Sequence, residues 1–436
     1  MSSHPRIVFL GGGSITWTLV FTRDLCESQS FDGGTLVLMD IDKKANDAMK
    51  AFCEKAFAEK GKKVTIETTT DLYGSLDGAD IVVNSVLVGG HVTWKQELDI
   101  IERYGLQHPK GMSVGPGGMI MGLKQTQFIV KIAQEMEKRC PNAWLFNFSN
   151  PMQVLTLGYQ RYSKIKSIGL CHGLRHSIRL WSNRLGIPLD EIHFKAGGVN
   201  HFEFVTELTH KGRDLFPDLL ASFKASEAKG EYTGEHLTME MYELFGAWPC
   251  NFDIHTIEYM PWFIRKGVDV KQFHLEQNSI DNRMKDRDKR WGELQDFMNG
   301  KKTLKELVPD KHSEHLHDLV DAVVLNRAYV FYANIMNNGC IRNLPDSCVV
   351  EVPVVIDQGG WMGCNVGPLP QGVAEISALH AAVQDAVVEA AMTGSRELCV
   401  KALSMDPMCY TLTLAERRTL VDELLAVNKA YLEKFF

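Results

Sequence analysis

Residues 5–18 read "PRIVFLGGGSITWT". The apolar run "RIVFL" predicts a buried strand, and the glycines after it predict a tight turn that leads into a helix. This order is typical of the dinucleotide-binding fingerprint, in which Gly11 makes the turn, Gly13 admits the pyrophosphate and the helix N-terminal amides bind it. Ser14 lies inside the motif, and Thr16 stands where a third glycine is usual. A plain glycine turn is the alternative interpretation.

The second apolar run ends at Asp40, in "LVLMDID". A carboxylate at the end of this strand can accept hydrogen bonds from a ribose, which favours NAD over its phosphorylated form. In the alternative interpretation, Asp40 only caps the next helix. Asn84, in the later run "DIVVNSV", is a further candidate for cofactor binding.

Apolar runs alternate with stretches of helical periodicity through the first half of the chain. Because parallel strands need crossover connections, and these are usually helices, the alternation predicts an α/β fold. We expect a Rossmann-like, NAD-binding domain with a mostly parallel sheet at 1–195. A helix-rich α+β domain for substrate, metal and oligomerisation is expected at 196–436. The charge-dense stretch "DNRMKDRDKRWGEL" (281–294) is interpreted as a solvated helix face without a function.

The composition narrows the class of partner. The chain has 436 residues, of which 45% are hydrophobic and 23% charged, and its formal net charge is −7. Scattered basic residues in an acidic protein give no footprint for nucleic acid or an anionic membrane. The first residues lack the features of a signal peptide, so we expect a cytoplasmic protein that acts on small molecules. Its 10 cysteines contain no CxxC pair and are expected to be free thiols.

Polar residues follow two later apolar runs. "WLFNFSNP" ends with Asn150 before a proline, where the asparagine either contacts a ligand or caps a helix. "GLCHG" contains Cys171 and His172, and "GGVNHFEF" contains His201. A thiolate and an imidazole are credible ligands for a transition metal. From the residues alone, a buried cysteine and a structural histidine are the simpler interpretation.

A third cluster lies in "PCNFDIHTIEYMPWF" (249–263). Asp253, His255, Glu258 and Tyr259 stand there among bulky apolar residues. Such a setting shifts pKa values and restricts water, which favours acid–base chemistry. The aromatic residues are equally consistent with an ordinary core.

Taken together, the motifs resemble those of glycoside hydrolase family 4, whose members depend on NAD and a divalent metal. The resemblance implies a lactate or malate dehydrogenase-like architecture and a homodimer or homotetramer. The motifs that carry it are "GGGSITW", "LMDID", "VLVGGH", "GPGG" (115–118), "NFSNP", "CHG", "GVNHF", "EYMPWF", "NNGCIRNLP" (337–345), "VVEVP" (349–353) and "GPLP" (367–370).

The resemblance also implies roles for single residues. Cys171 and His201 match the residues that bind a divalent cation, commonly Mn²⁺, and Tyr259 matches the base proposed in some branches. NAD is expected to take hydride from carbon 3 of the sugar, which makes the hydrogen on carbon 2 acidic enough for Tyr259 to remove. Loss of that proton expels the group on carbon 1, water adds, and the hydride returns. The outcome is hydrolysis without net oxidation.

The same resemblance narrows the substrate. A histidine after the metal-binding cysteine is similar to the branches that act on unphosphorylated α-glycosides. Gly173 makes the string "CHG", which resembles α-glucuronidases and favours an α-uronide, either a glucuronide or a galacturonide. Arg175, His176 and Arg179 are then candidates to meet the uronate carboxylate, with Asn150, His172 and Glu97 as substrate-binding residues. An α-galactosidase or an α-glucosidase of the same family is the alternative.

The acid that protonates the leaving group stays unassigned at this point. Several relatives carry a carboxylate just before "GPGG", whereas this chain reads "GMSVGPGG". Glu97 and Asp99 resemble an acidic motif of the phosphoglycosidases, and Asp253 is a third candidate. An NAD-dependent hydroxy-acid dehydrogenase is the alternative from a different class, because it would share the fingerprint of the first domain.

Overall fold

The computed structural model describes residues 4–260, 262–309 and 313–436. Within these ranges, 13 strands form one mixed sheet. No helix there is long and apolar enough to cross a bilayer. The strands are β1 (Arg6–Leu10), β2 (Thr35–Met39), β3 (Thr65–Thr69), β4 (Ile81–Asn84), β5 (Trp144–Asn147), β6 (Lys166–Gly169), β7 (Ile192–Val199), β8 (Phe202–His210), β9 (Arg213–Asp214), β10 (Trp248–Pro249), β11 (Tyr329–Met336), β12 (Val349–Asp357) and β13 (Gly360–Gly363).

Helices connect most of the strands, and further α-helices follow the last strand. They are α1 (Trp17–Glu27), α2 (Lys43–Glu59), α3 (Gly90–Arg103), α4 (Gly115–Arg139), α5 (Met152–Tyr162), α6 (Gly173–Leu185), α7 (Phe216–Glu227), α8 (His236–Phe245), α9 (Phe252–Tyr259), α10 (Ile280–Met298), α11 (Leu304–Leu307), α12 (Leu316–Val324), α13 (Val373–Thr393), α14 (Arg396–Met405) and α15 (Leu414–Val427). The α/β fold class predicted from the sequence is confirmed.

The first six strands are parallel and lie in the order β3-β2-β1-β4-β5-β6. This is the order of dinucleotide-binding sheets, whose ligands bind outside the carboxyl ends of the strands at the point where the order reverses. Five of the six strands coincide with apolar runs of the sequence. β3 reads "TIETT" and has only one buried residue, so its apolar pattern is too weak to predict a strand.

The second half of the sheet is antiparallel and continues directly from the first. β11 pairs with β6 through Asn334 and Gly169, and β12 joins β11 to β7. β7 and β8 form a hairpin whose turn contains Asn200 and His201. The turn therefore comes to the same edge as the end of β6, where Cys171 lies.

Helix α4 starts earlier than its apolar pattern suggests, because the glycines of "GPGG" belong to it. A Cβ on Gly118 would lie 2.4 Å from the backbone carbon of Ser113, and one on Gly117 would lie 2.9 Å from the carbonyl oxygen of Gly111. The loop before the helix thus folds back against its first turn. This contact places Ser113 at the sheet edge described above.

A smaller apolar core lies under α6, α7 and the β7–β8 hairpin, apart from the main core. At its centre, Trp181 and Trp248 meet edge to face at 5.7 Å between ring centroids. Both indole N–H groups donate to the carboxylate of Glu235, at 3.0 and 3.1 Å. Burial raises the pKa of Glu235 to about 7.

Candidate active site

The glycine turn after β1 forms one wall of an open groove. The Gly11 and Gly12 amides both donate to the carbonyl of Met39, at 3.0 and 2.9 Å, which joins the turn to β2. The Gly13 amide donates to Asp40 Oδ2 at 2.9 Å. A Cβ on Gly13 would lie 2.9 Å from that same oxygen. The motif therefore needs glycine at position 13 because the carboxylate of Asp40 already lies against it.

The start of α1 leaves two amide donors without an acceptor. Ser14 Oγ accepts from the Trp17 amide at 3.1 Å, whereas the amides of Ile15 and Thr16 have no acceptor among the described residues. They face a groove of about 980 Å³ lined by residues that include Ser14, Thr16 and Asp40. Free amides at a helix N-terminus suit an anionic group, so the groove fits the phosphates of a dinucleotide.

Asn84 lies beneath this groove rather than in its lining. Its Nδ2 donates to Asn147 Oδ1 at 2.8 Å, and its Oδ1 accepts from the Val86 amide at 3.3 Å. The side chain is buried, since Asn84 is 1% exposed. The structure therefore gives Asn84 the role of fixing the loops after β4 and β5, and the prediction that it contacts the cofactor gains no support.

The Cys171 thiol and the His201 imidazole lie over two buried carboxylates. Glu203 accepts from the His201 amide at 2.9 Å and holds that residue at a φ of 65°. Asn200 Nδ2 donates to Glu351 Oε2 at 2.8 Å. Glu203 and Glu351 are both 0% exposed. We call Glu203 and Glu351 the carboxylate bed. Burial and then the charge of Glu351 raise the pKa of Glu203 well above its usual value.

The electrostatics of the pair suit a bound cation. Burial and then the charges of the carboxylate bed raise the pKa of Cys171 well above its usual value. Burial, with Lys110 and His172, lowers the pKa of His201 to about 3, so its imidazole is neutral. His201 Nδ1 lies 2.7 Å from Ser113 Oγ, which leaves Nε2 available to a ligand. A cation offsets the cost of a buried thiolate, and sulfur with imidazole nitrogen is a donor set for transition metals.

Tyr259 lies near His201. Its hydroxyl donates to the carbonyl of Asn200 at 2.8 Å, and its ring stacks on Phe202 with centroids 5.0 Å apart. Burial and then the charge of Glu203 raise the pKa of Tyr259 well above its usual value. A hydrogen bond from Ser113 opposes that shift and links the phenol to His201.

Sequence reasoning missed several residues of this centre. Besides the carboxylate bed, it missed Ser113, Asn200 and Lys110, whose charge lowers the pKa of His201 and His255. His255, a candidate already indicated by the sequence, lies against His201 with centroids 4.0 Å apart and rings tilted by 34°, and its buried Nδ1 has no partner among the described residues. A carboxylate inside an apolar strand, as in "HFEFV" and "VVEVP", was the available signal.

Two predicted site residues are used elsewhere in the fold. Asp253 accepts from the amides of His236, Leu237 and Thr238, so it caps the start of α8. Glu97 forms a buried ion pair of 2.5 Å with Lys124 between α3 and α4. Neither carboxylate is directed at the thiol and imidazole. The expectation that they supply a catalytic or substrate-binding group therefore gains no support from these contacts.

Asn150 and His172 stay at the site edge. Asn150 Oδ1 accepts from the Met152 amide at 3.2 Å, which supports its role as a helix cap, while the side chain remains half-buried. The His172 side chain is 59% exposed and pairs with Glu314 at 3.1 Å. His172 also lines a cavity of about 500 Å³. The lining includes the three residues predicted to bind the uronate carboxylate of the substrate, namely Arg175, His176 and Arg179.

The charge-dense stretch 281–294 is helical and mostly exposed, as predicted, but one side of it lines the groove. It forms part of α10, and Arg283, Arg287 and Arg290 line the groove opposite Asp40. The pattern of alternating charges looks like that of a solvated helix. Only the tertiary fold shows that one of its faces covers the groove.

Sequence comparison decides the family. The family model described as family 4 glycosyl hydrolase matches residues 6–178, and the model of the C-terminal domain of that family matches residues 196–409. The chain belongs to glycosyl hydrolase family 4. It is 28% identical over 434 residues to an α-galactosidase of Bacillus subtilis, covering 99% of both chains. It is 28% identical over 424 residues to an α-galacturonidase of the same organism, covering 92% of this chain and 93% of the relative.

Solved structures agree with this family assignment. The Bacillus subtilis protein lplD superposes with a TM-score of 0.86 at 26% identity, covering 97% of this chain and 100% of that one. A 6-phospho-α-glucosidase from gut microorganisms, solved in complex with NAD and Mn²⁺, has a TM-score of 0.84 at 21% identity and covers 99% and 100%. A malate dehydrogenase of Cryptosporidium parvum shares the fold more distantly, with a TM-score of 0.52 at 14% identity over 89% and 99%.

Proposed function

We propose that this family 4 glycosidase uses NAD and a divalent cation, such as Mn²⁺, to cleave unphosphorylated α-glycosides, with α-uronides as its preferred substrates. The main support for this proposal is that Cys171 and His201 lie over the carboxylate bed, at the same sheet edge as the dinucleotide groove. The proposed division into domains 1–195 and 196–436 is supported by the two family-model matches, because the first ends at residue 178 and the second begins at residue 196.

Each proposed group has residues that fit it. The amides of Ile15 and Thr16 would hold the dinucleotide phosphates, and Asp40 its ribose. Cys171 Sγ and His201 Nε2 would hold the cation. When bound, NAD supplies a reversible hydride acceptor, and the cation supplies Lewis acidity at the oxygen on carbon 3 of the sugar.

Tyr259 would remove the proton from carbon 2 of the sugar. A buried phenol is a poor base, and the carboxylate bed makes its deprotonation harder still. A cation bound by Cys171 and His201 would lower the pKa of Tyr259 again, because its positive charge would stabilise the phenolate. Ser113 can donate to the same phenolate oxygen. The hydrogen bond from Tyr259 to the Asn200 carbonyl fixes the ring before the substrate enters.

Positive charge near the centre supports an α-uronide. The charge of Lys110 acts on His201, His255 and His172 together, so its ammonium group is directed toward the centre. Arg175 and Arg179 line the cavity that begins at His172. These cations suit the carboxylate of a uronate. The relatives include α-galacturonidases that match nearly the whole chain.

An α-galactosidase is the second candidate. The full-length match to the Bacillus subtilis α-galactosidase favours it, because galactosides and galacturonides differ only at carbon 6. A hydroxy-acid dehydrogenase is disfavoured, since the malate dehydrogenases share only the fold.

Hydrolysis of a panel of nitrophenyl α-glycosides and α-uronides tests the proposal. We expect release of nitrophenol only with NAD, Mn²⁺ and a reductant present, and a higher kcat/KM for the α-galacturonide or α-glucuronide than for the α-galactoside. A preference for the galactoside would favour the second candidate. Accumulation of NADH in step with product would instead indicate a dehydrogenase and overturn both.

A further inference from the structure

Helix α10 lies across the dinucleotide groove, opposite Asp40. Arg283, Asp286, Arg287 and Arg290 line the groove, and their spacing of three, four and seven residues places them on one helical face. Burial and then the charges of Arg287 and Arg283 lower the pKa of His91, which lies in the first turn of α3 and also lines the groove. The helix is therefore close to the start of α3, and the two together border the groove.

Arg290 differs from the other two arginines of this face. Arg283 donates to Asn278 Oδ1 at 2.7 Å, and Arg287 pairs with Asp288 at 3.1 Å. Arg290 has no hydrogen bond or ion pair with any described residue, although it is half-buried. Because no group among the described residues engages it, this guanidinium can pair with an anionic ligand in the groove that it lines.

The position of Arg290 indicates which ligand this is. Arg290 lines both the groove and the cavity next to His172, and Thr16 is another residue common to the two linings. Thr16 carries one of the two amides that have no acceptor. Arg290 and these amides thus lie around the same space, where a phosphate would receive donors from both sides.

We infer that Arg290 binds the pyrophosphate of the dinucleotide from the side opposite the α1 N-terminus, so that α10 holds the cofactor in its groove. The inference rests on the proposed use of NAD. It gives the charge-dense stretch a binding role in a protein whose formal net charge is −7. A guanidinium can donate two hydrogen bonds to one phosphate, which makes it suited to this position.

Calorimetric titration of the full-length protein with NAD, ADP-ribose and adenosine tests the inference. We expect Arg290→Gln to weaken NAD and ADP-ribose binding by similar factors of about 10 to 100, the range for a lost charge-assisted hydrogen bond. Adenosine affinity should stay unchanged, because adenosine carries no phosphate. The loss should shrink at high salt, which screens the contact.

Lys289→Gln is the matched control, because Lys289 is exposed on α10, outside the groove lining, and carries the same charge. It should bind NAD as the unaltered protein does. Unchanged NAD affinity in Arg290→Gln overturns the inference, and so does an equal loss for adenosine or in the control. Failure of the unaltered protein to bind NAD would instead defeat the proposed function itself.

Discussion

The dinucleotide groove and the thiol–imidazole centre share one sheet edge but are built in opposite ways. The groove is open, and its turn and donors come largely from the backbone of residues 11–16. The centre is buried, and its side chains come from segments far apart in the chain, from Ser113 to Glu351. Side-chain charges interact strongly where water is excluded and weakly where it is present. Single substitutions should therefore affect the centre much more than the groove.

Loss of the thiol should have the largest effect. In Cys171→Ser, a hydroxyl that is hard to deprotonate replaces a thiolate ligand, so we expect Mn²⁺ affinity to fall more than about 100-fold, beyond the effect of altering a residue around a metal ligand. Turnover should fall below detection. Spin-resonance titration of Mn²⁺ measures the affinity. Cys364→Ser, at a half-buried cysteine elsewhere, is the control, and a Cys171→Ser protein with normal Mn²⁺ affinity would contradict the metal assignment.

Removal of the phenol hydroxyl should affect chemistry but not binding. Tyr259→Phe keeps the ring on Phe202 and removes the base, so kcat should fall by about 100-fold or more. Affinity for NAD should be unchanged, because the groove does not include this residue. Steady-state kinetics and NAD titration measure the two effects. Tyr104→Phe, which loses only a contact with Glu423, should behave normally, and an active Tyr259→Phe protein would rule out this base.

A substitution beside the centre tests how tightly its support is packed. A Cβ at position 173 would lie 1.6 Å from Asn251 Oδ1. The side-chain Nδ2 of Asn251 donates a hydrogen bond to Glu203. Gly173→Ser should displace Asn251 from the carboxylate bed and weaken Mn²⁺ binding by about 10- to 100-fold. Gly292→Ser is the control, since nothing lies within 4 Å of a Cβ there. Normal Mn²⁺ binding in Gly173→Ser would show that the bed does not support the ligands.

The groove should tolerate a comparable change better. In Asp40→Asn, an amide oxygen can still accept from the Gly13 amide, but it binds a ribose less strongly than a carboxylate does. We expect NAD to bind about 5- to 10-fold more weakly, since a charged acceptor contributes roughly 1 kcal/mol more than a neutral one. The preference for NAD over its phosphorylated form should also become smaller. Calorimetry with both cofactors measures this, and a loss above 100-fold would contradict the contrast between groove and centre.

Glu235 separates burial from the clustering of charge, because burial raises its pKa and neither Glu203 nor Glu351 contributes to that shift. Its pKa is raised from 4.5 to about 7, so the folded state binds its proton more tightly than the unfolded state. The free energy of unfolding should therefore fall by about 3 kcal/mol as pH rises from 4.5 to 7. Chemical denaturation at several pH values measures how the free energy of unfolding changes with pH, and Glu235→Gln should reduce that dependence. If the pH dependence of unfolding is the same in Glu235→Gln, Glu235 is not responsible for it.

The sequence predicts the groove better than the centre, and the reason is locality. The turn around Gly11 and the position of Asp40 follow from a continuous motif, as do most of the parallel strands. Glu203 and Glu351 stand alone within apolar strands, and they come together because both β8 and β12 pair with β7 at Gly198. The arginines of α10 face the groove through tertiary packing, which their charge pattern does not reveal.

The continuous sheet limits how this enzyme can move. β6 is hydrogen-bonded to β11, so the boundary near residue 195 crosses a sheet instead of a flexible linker. Rotation of one half against the other would break strand pairing, and a fragment ending there would expose β6 as a new edge prone to aggregation. Any change in shape during catalysis is therefore expected in elements packed over the sheet, such as α10, and not in a hinge between its two halves.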